Sequence, residues 1–182
     1  FLHRLDVPTS GLILVAKTPR AQRDLQLQLD AGDLLRDYVA LLHGWAPAGR
    51  GTVSAPLHWV EGSARPTAVC AQGKPSVTRL KVVAHALGAG GGSAEPTPRR
   101  KGGGAFSLVA VRIETGRRHQ IRAHAAHVGH AVVRDGRYAA APTFAADCAW
   151  CRRHFLHRYS LSFLDLAGGR REVTAPPPPD LA

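Results

Sequence analysis

The stretch HRLDVPTSGLILVAK, residues 3–17, decides how the rest of the sequence is interpreted. An arginine and an aspartate, Arg4 and Asp6, lie two residues apart just before a bend rich in Pro, Ser and Gly. The apolar run of residues 11–16 predicts a buried central strand, because it is short, continuous and bounded by turn residues. An Arg-Asp pair taken alone is usually an exposed, weak ion pair. At the start of a rigid element, however, such a pair can also form a functional site. The remaining sequence has to decide between an exposed ion pair and a functional site.

Charge and length limit the function classes. The 182-residue chain carries 24 Lys and Arg against 13 Asp and Glu, a formal net charge of +11. Its length and its 45% hydrophobic content fit one globular domain. The positive charge favours RNA or DNA over a small neutral substrate, because Lys and Arg contacts to phosphate supply most sequence-independent affinity for nucleic acids. A compositional drift toward arginine is the alternative.

The cysteines and the N-terminus bear on the compartment. Cys70, Cys148 and Cys151 form no disulfide framework, so we expect an intracellular setting, either cytoplasm or an organelle. Cys148 and Cys151 have the spacing of a redox or zinc pair, but no second pair accompanies them, and we treat the spacing as incidental. We find no apolar run of membrane length and no signal-peptide pattern. The chain contains no methionine, so we expect that its first residue is not the natural start.

Hydrophobic periodicity predicts a mixed, mostly antiparallel α+β fold, because strands outnumber helices and no βαβ alternation is present. The first of two predicted helices begins at Thr18-Pro19, which suit the N-cap and first helical position, and ends at Gly32. The second spans residues 117–128 and ends at Gly129. The predicted strands lie at residues 11–16, 38–42, within 49–56, and at 67–71, 77–86, 106–113, 156–166 and 171–175. Residues 131–138 are predicted to form a short strand and a turn.

Residues 87–104 differ in composition from the rest of the chain. Two glycine runs flank Ser, Pro and the basic trio of residues 99–101. Such a segment does not bury enough apolar surface to offset its ordering entropy. We therefore predict a flexible insertion within a single domain of residues 1–182. A basic trio of this kind can contact RNA, although a solvated loop is the simpler interpretation.

The densest polar segment is TGRRHQIRAH, residues 115–124. If residues 117–128 are helical, Arg118 and Arg122 lie one turn apart and form a fork-like anion site. A solvated helix face is the alternative. Four histidines between residues 119 and 130 also suggest the metal site of a hydrolase. No acidic residue shares their helical turns and the neighbouring arginines repel a cation, so we expect no metal.

Three motifs in this order and spacing resemble the RluA-type RNA pseudouridine synthases. They are HRLD of residues 3–6 with the TSG and apolar run behind it, YVAL of residues 38–41 with Gly44, and the segment from TGR to HQIR of residues 115–122 with Gly129-His130. Residues 156–163 and Ala175-Pro176 are also similar to the closing strands of that family. The resemblance covers nearly the whole chain except the glycine-rich insertion.

This resemblance implies the isomerisation of specific uridines to pseudouridine in structured rRNA or tRNA, with no cofactor, no membrane and no obligatory protein partner. The family's nucleophilic aspartate corresponds to Asp6, its active-site tyrosine that packs against the target base to Tyr38, and the basic partner of the nucleophile to Arg122. Arg4 holds the position of the arginine that fills the gap left by the flipped base. The other predicted substrate-binding residues are His3, Arg117, His119, Gln120 and Ile121.

These residue types suit such chemistry. A carboxylate nucleophile has to be ionised while partly buried, and an adjacent arginine, which does not deprotonate, favours the ionised form. A stacked base has to be turned out of its helix or presented in a loop, and stacking on an aromatic side chain recovers part of that cost. Whether Asp6 attacks the uracil ring or the ribose carbon stays open.

Two features depart from the family pattern. The family carries further strands before its first motif, often after a small RNA-binding module, whereas Asp6 is near the start of this sequence. Missing strands would leave an open sheet edge. Asp37 also stands where the family tends to be basic. The alternative function is therefore a non-catalytic RNA-binding remnant of such an enzyme.

Overall fold

The computed structural model describes residues 2, 4–88 and 104–181, with the backbone alone at Arg50. The helices and strands are β1 (Ser10–Gly11), α1 (Pro19–Ala31), β2 (Leu35–His43), β3 (Arg50–Ser54), β4 (Leu57–His58), β5 (Ala68–Val69), β6 (Val77–Leu87), β7 (Ala105–Ile113), α2 (Gln120–His127), α3 (Ala141–Cys148), β8 (Leu156–Leu164) and β9 (Arg170–Thr174). A single 3₁₀ turn, Pro179–Leu181, follows β9.

One sheet organises the part of the chain that the structure describes. Its strands lie in the order β1, β8, β2, β7, β6, β3, and β9 also pairs with β8. β1 runs parallel to β8, and the other pairings are antiparallel. The short strands β4 and β5 pair with each other apart from this sheet. The predicted mixed, mostly antiparallel α+β fold is confirmed.

The central strand β2 has one buried face. Its even-numbered residues from 36 to 42 are buried, whereas those between them are half-exposed. Helix α2 covers this face with Ile121 and Ala125, which belong to the same apolar cluster as Tyr38. Residues two apart in a strand share a face. Arg36 and Tyr38 therefore lie on the same buried face of the sheet.

Helix α1 has the ends that its sequence predicts. The Thr18 hydroxyl accepts a hydrogen bond from the backbone N–H of Ala21 at 3.2 Å, and Pro19 occupies the first turn. Gly32 follows the helix with φ +84°. A proline without an N–H loses nothing at the first helical position, and glycine adopts a left-handed conformation without a Cβ clash.

The predicted central strand at residues 11–16 is wrong. The extended pairing covers only Ser10–Gly11, and β1 lies at the edge of the sheet. Beyond it, Leu12 and Leu14 pack against the apolar cluster around Leu25 of α1, while Ile13 is exposed. A short apolar run does not distinguish a strand from a loop that packs one row of side chains on a helix.

The second predicted helix begins three residues too early. Its observed start is Gln120, because His119 has a left-handed backbone with φ +52°. The side-chain carbonyl of Gln120 accepts hydrogen bonds from the Thr115 hydroxyl and the Arg117 N–H and so closes a turn before the helix. Arg118 precedes the helix, and the predicted pair of Arg118 and Arg122 on one helical face is wrong. Gly129 follows α2 with φ +87°, as predicted.

Three other segments differ from the predictions. Residues 131–138 form one isolated bridge, from Val132 to Leu42, and not a strand, and the strand predicted at 67–71 shortens to Ala68–Val69. Helix α3, which has Pro142 in its first turn, was not predicted.

Residues 89–103, most of the predicted insertion, lie outside the described residues. In the described residues no helix combines the length and apolar character needed to cross a membrane.

Replacing Gly11 with alanine should destabilise the fold strongly. Gly11 has φ +117°, and an added Cβ would overlap the backbone of Arg158 in β8, with the Arg158 nitrogen at 2.6 Å. We expect Gly11→Ala to lower the free energy of unfolding by at least about 2 kcal/mol, measured by urea denaturation. The matched control is Gly32→Ala, with φ +84° and open space around the new Cβ. It should cost only about 1 kcal/mol, and equal losses would contradict the parallel packing of β1 on β8.

Candidate active site

The carboxylate of Asp6 sits in a tight turn just before β1. The backbone N–H of Thr9 donates to the Asp6 carbonyl at 2.8 Å, and Leu5 packs against the main apolar cluster. The pairing of Ser10 with His157 fixes the far end of the turn to β8. The Asp6 side chain is 20% exposed, so the carboxylate is held by structured backbone yet reaches solvent.

Arg122 is the cation that faces this carboxylate. Its Nη1 lies 3.4 Å from Asp6 Oδ2. Its Nε and Nη2 donate to the two carboxylate oxygens of Asp135 at 2.7 and 2.8 Å. The Arg122 side chain is 4% exposed and that of Asp135 is fully buried. The bidentate pair fixes the plane of the guanidinium and leaves its third nitrogen directed at Asp6.

Asp135 is held as an anion by its surroundings. Burial alone would raise the pKa of Asp135, but hydrogen bonds from Arg122 and His154, together with their charges, hold it far below its usual range. His154 Nε2 lies 3.3 Å from Asp135 Oδ2, and the backbone N–H of Arg137 donates to Oδ1 at 3.0 Å. Desolvation opposes the positive form of Arg122, yet the contacts with Asp135 and the charge of Asp6 leave its pKa raised.

His119 borders the other side of Asp6. Its Nε2 lies 4.0 Å from Asp6 Oδ1, and its Nδ1 is 3.1 Å from the Tyr138 hydroxyl. Burial lowers the pKa of His119; Asp6 opposes this shift, and Arg122 adds to it. The imidazole is therefore mainly neutral at pH 7. Tyr138 also stacks under the Arg122 guanidinium, whose carbon is 5.1 Å from the ring centre.

Tyr38 is held by a residue that sequence reasoning missed. The Nε of Arg158 donates to the Tyr38 hydroxyl at 2.8 Å, its Nη2 also donates there, and its guanidinium carbon lies 4.9 Å from the ring centre. Burial raises the pKa of Tyr38, and the charge and hydrogen bonds of Arg158 oppose that shift. Tyr38 therefore stays protonated near neutral pH, and its hydroxyl has a fixed position.

A cavity of about 760 Å³ brings the predicted residues together. That volume falls in the range of small-molecule sites and can hold a nucleoside. Its walls are the turn around Asp6, strand β2, the segment from 113 to 122 and the loop from 59 to 63. Among the predicted residues, the lining contains Arg4, Asp6, Tyr38, Arg117, His119, Gln120, Ile121 and Arg122. His3 lies outside the described residues.

The predicted residues differ in how they face the cavity. Arg4 is exposed and Arg117 is half-buried. Gln120 and Ile121 are buried, and the Gln120 amide donates to the Val77 carbonyl at 2.9 Å. The contacts of Gln120 hold the turn before α2 in place. The substrate-binding roles of these residues stay predictions.

The histidines after His119 do not converge. His124 is buried, and both of its ring nitrogens form hydrogen bonds. Nδ1 pairs with the Thr78 hydroxyl and Nε2 with the Ala55 carbonyl oxygen, each at 2.9 Å. His130 lies against the backbone carbonyl of His43. Within the described residues no group of three His, Cys, Asp or Glu side chains is arranged to hold a metal ion.

Four residues that line the cavity or support its lining were not predicted from the sequence: Arg36, Asp135, His154 and Arg158. Arg36 had a usable signal, because it lies two residues before Tyr38 in a strand and so shares its face. Asp135 stood in a segment predicted as strand and turn, and its partner Arg122 is thirteen residues earlier. Spacing alone does not reveal such a pair.

The chain matches a family model described as RNA pseudouridylate synthase over residues 1–127. Ribosomal large subunit pseudouridine synthase D of Xanthomonas campestris is 33% identical over 99% of this chain and 52% of its own length. The protein of the same name from Escherichia coli K12 is 32% identical, with the same coverage. The chain thus spans about half the length of these curated relatives.

Solved structures give the same picture. The structure titled Human RNA Pseudouridylate Synthase Domain Containing 1 superposes with a TM-score of 0.79 and 30% sequence identity, covering 100% of this chain and 71% of that one. Human RNA Pseudouridylate Synthase Domain Containing 4 has a TM-score of 0.70 at 17% identity, covering 99% and 72%. At that identity the second likeness supports the fold alone.

Neutralising Asp135 should be costly, because it leaves the buried Arg122 without its main counter-ion. We expect Asp135→Asn to lower the free energy of unfolding by about 3 kcal/mol, measured by urea denaturation. The control is Asp37→Asn, which breaks the more exposed bidentate pair with Arg112 on β7. The control should cost less than about 1 kcal/mol. Similar losses in the two variants would contradict a fold that depends on the Arg122–Asp135 pair.

Stability should also fall in acid because of Asp135. Its pKa is lowered in the folded state, so its contribution is complete above the unfolded value of about 3.9 and is lost as the pH falls toward the folded value. The free energy of unfolding should therefore decrease below about pH 4. Urea denaturation of the unchanged chain and of Asp135→Asn across this range measures the effect. The variant should show a shallower decrease, and parallel curves would contradict the assignment.

Proposed function

The chain belongs to the RNA pseudouridylate synthase family, and from that premise we propose that it isomerises uridine to pseudouridine in structured RNA, with Asp6 as the nucleophile. One observation carries this proposal. The Asp6 carboxylate lies in a cavity, 3.4 Å from an arginine that a second, buried carboxylate holds in place. Tyr38 lines the same cavity, where it can pack against a base.

The reaction conserves every atom of the uridine. The N1–C1′ bond breaks, the uracil turns while it stays in the cavity, and a C5–C1′ bond forms; C5 loses a proton and N1 gains one. Asp6 supplies the attacking oxygen, and its covalent bond to the substrate breaks again before release. No oxidant or reductant is required, and the proposal therefore includes no cofactor.

Arg122 keeps the nucleophile ready. Transfer of the uridine into the cavity removes water from Asp6, which by itself disfavours the ionised form. The fixed positive charge of Arg122 opposes this effect, and the Asp135 pair prevents the guanidinium from turning away. The positive charge of Arg122 is therefore fixed beside the carboxylate at the moment when it has to attack.

Arg4 and the basic rim suit an RNA partner. Arg4 lines the cavity mouth and is exposed, so its side chain can enter the gap that a flipped nucleotide leaves. Arg117 and Arg118 also line the cavity, in the segment that precedes α2. Together with a net charge of +11, these groups attract phosphate. They form the RNA-facing side of the molecule in this proposal.

The names of the relatives narrow the substrate class. Two of them are ribosomal large subunit pseudouridine synthases, so within this proposal large-subunit rRNA is preferred over tRNA. All the reacting groups named above come from this chain, and the proposal includes no protein partner. The proposed RNA substrate implies that the protein acts inside the cell. The free thiols of Cys70, Cys148 and Cys151 are consistent with that location.

Replacing Asp6 should abolish the reaction and spare RNA binding. We expect Asp6→Asn to form no pseudouridine in large-subunit rRNA transcripts, measured by chemical mapping, while its RNA affinity stays within about twofold, since phosphate contacts dominate binding. The control is Asp33→Asn, an exposed aspartate just after α1. An active Asp6→Asn variant would contradict the assignment of the nucleophile. If the unchanged chain binds RNA without modifying it, the chain is an RNA-binding remnant of such an enzyme.

A further inference from the structure

Arg36 is a buried cation that the proposed chemistry does not use. Its side chain lines the cavity, and the residue is only 4% exposed. The Nη2 atom donates to the backbone carbonyl of Glu114 at 3.2 Å. The Nε atom is buried and has no hydrogen-bond partner among the residues that the structure describes. In the described part of the chain no carboxylate forms an ion pair with Arg36, so its charge is not neutralised there.

Such a group is unfavourable unless it serves a ligand. Burial lowers the pKa of Arg36, and the nearby charge of Arg158 lowers it further, although Tyr38 acts in the opposite direction. A buried N–H without a partner adds to the cost. Exposed arginine would avoid both penalties. The arrangement indicates a binding site in which a ligand supplies the hydrogen-bond acceptors and the negative charge for the Arg36 guanidinium.

The neighbouring turn is shaped around the Arg36 guanidinium. A Cβ on Gly116 would lie 2.7 Å from Arg36 Nη1, closer than such atoms approach. Gly116 also lines the cavity, between Thr115 and Arg117. The absence of a side chain at this position therefore leaves the space that the guanidinium occupies. The position of the Arg36 guanidinium therefore depends on glycine at position 116.

A phosphodiester is the anion that fits this site. A guanidinium presents a planar fork of donors that matches two oxygens of a phosphate, and it keeps its charge at any physiological pH. Uracil carries no charge, so it does not need a second buried cation beside Arg122. Arg117 and Arg118 continue the positive charge from the buried site along the cavity wall. A backbone that follows this path passes next to a uridine held at Asp6.

Resting on the proposed RNA substrate, we propose that Arg36 binds a phosphodiester group adjacent to the target uridine and so fixes the register of the RNA in the cavity. The site is distinct from the Asp6–Arg122–Asp135 network, because within the described residues Arg36 forms no hydrogen bond or ion pair with any of the three. Its effect on the reaction is positional: it sets which nucleotide of a strand reaches Asp6.

The test uses a synthetic RNA hairpin with a single uridine in its loop. Arg36→Gln should weaken equilibrium binding of this hairpin roughly tenfold and reduce the slope of log K against log salt concentration by about 0.7, the value for one phosphate of a single strand. Arg20→Gln removes an exposed charge from α1 and serves as the control. An unchanged affinity and slope in Arg36→Gln would overturn the proposal.

A second arm identifies the phosphate. Each phosphodiester next to the uridine is replaced in turn by an uncharged methylphosphonate. At one of these positions the replacement should weaken binding of the hairpin by the unchanged chain. The same replacement should not weaken binding by Arg36→Gln, because that variant has already lost the contact with the phosphate. Gly116→Ala should behave like Arg36→Gln, because its Cβ displaces the guanidinium without removing its charge. Equal losses in all three proteins at every position would overturn the proposal.

A stability measurement separates binding from a structural role. If Arg36 serves a ligand, Arg36→Gln should keep or raise the midpoint of thermal unfolding in the absence of RNA, because a buried charge is removed. A clear decrease would assign Arg36 to the fold and overturn the proposal. Pseudouridine formation is scored separately. The salt slope and the methylphosphonate results can therefore contradict the role of Arg36 while pseudouridine is still formed. Conversely, the chain can fail to form pseudouridine while the contact between Arg36 and the phosphate is retained.

Discussion

The pairing of Arg122 with Asp135 is the interaction on which the site depends. Both groups are almost fully withdrawn from water, and each makes the charge of the other tolerable. The geometry uses two of the three guanidinium nitrogens and leaves the third for Asp6. Arg122 of α2 thus connects the loop after α2, which carries Asp135, to the turn before β1, which carries Asp6 and is far away in sequence. The nucleophile in the proposed reaction inherits its orientation from this pair.

Among the described residues, the three buried arginines that line the cavity lie in different environments. Arg122 is neutralised by carboxylates, and Arg158 holds the hydroxyl and ring of Tyr38. Arg36 has a buried nitrogen with no hydrogen-bond partner in the described part of the chain. The same residue type therefore supplies a fixed counter-ion, a support for an aromatic ring and an open donor. A net charge of +11 does not reveal these differences. Only burial and hydrogen-bond partners do.

The sequence predicts the parts of the fold that depend on local chemistry. The ends of α1 follow from Thr18, Pro19 and Gly32, and the long antiparallel strands follow from alternation. The start of α2 does not, because the left-handed backbone of His119 depends on hydrogen bonds across the turn. Arg158 was missed for a related reason. A β-bulge beside Asp37 and Tyr38 shifts the register with β8, so simple alternation does not assign the faces of β8.

Strands β6 and β7 connect the cavity to a distant end of the molecule. The pair Thr78 and Ile113 lies beside the cavity, whereas the pair Leu87 and Ala105 ends the ladder eight residues further along β7, a span of roughly 27 Å. The segment between Leu87 and Ala105 is joined to two adjacent strand ends. Doubling the length of such a connection costs only about 0.6 kcal/mol. Evolution can therefore lengthen, shorten or rewrite this connection while the geometry around Asp6 is left unaltered.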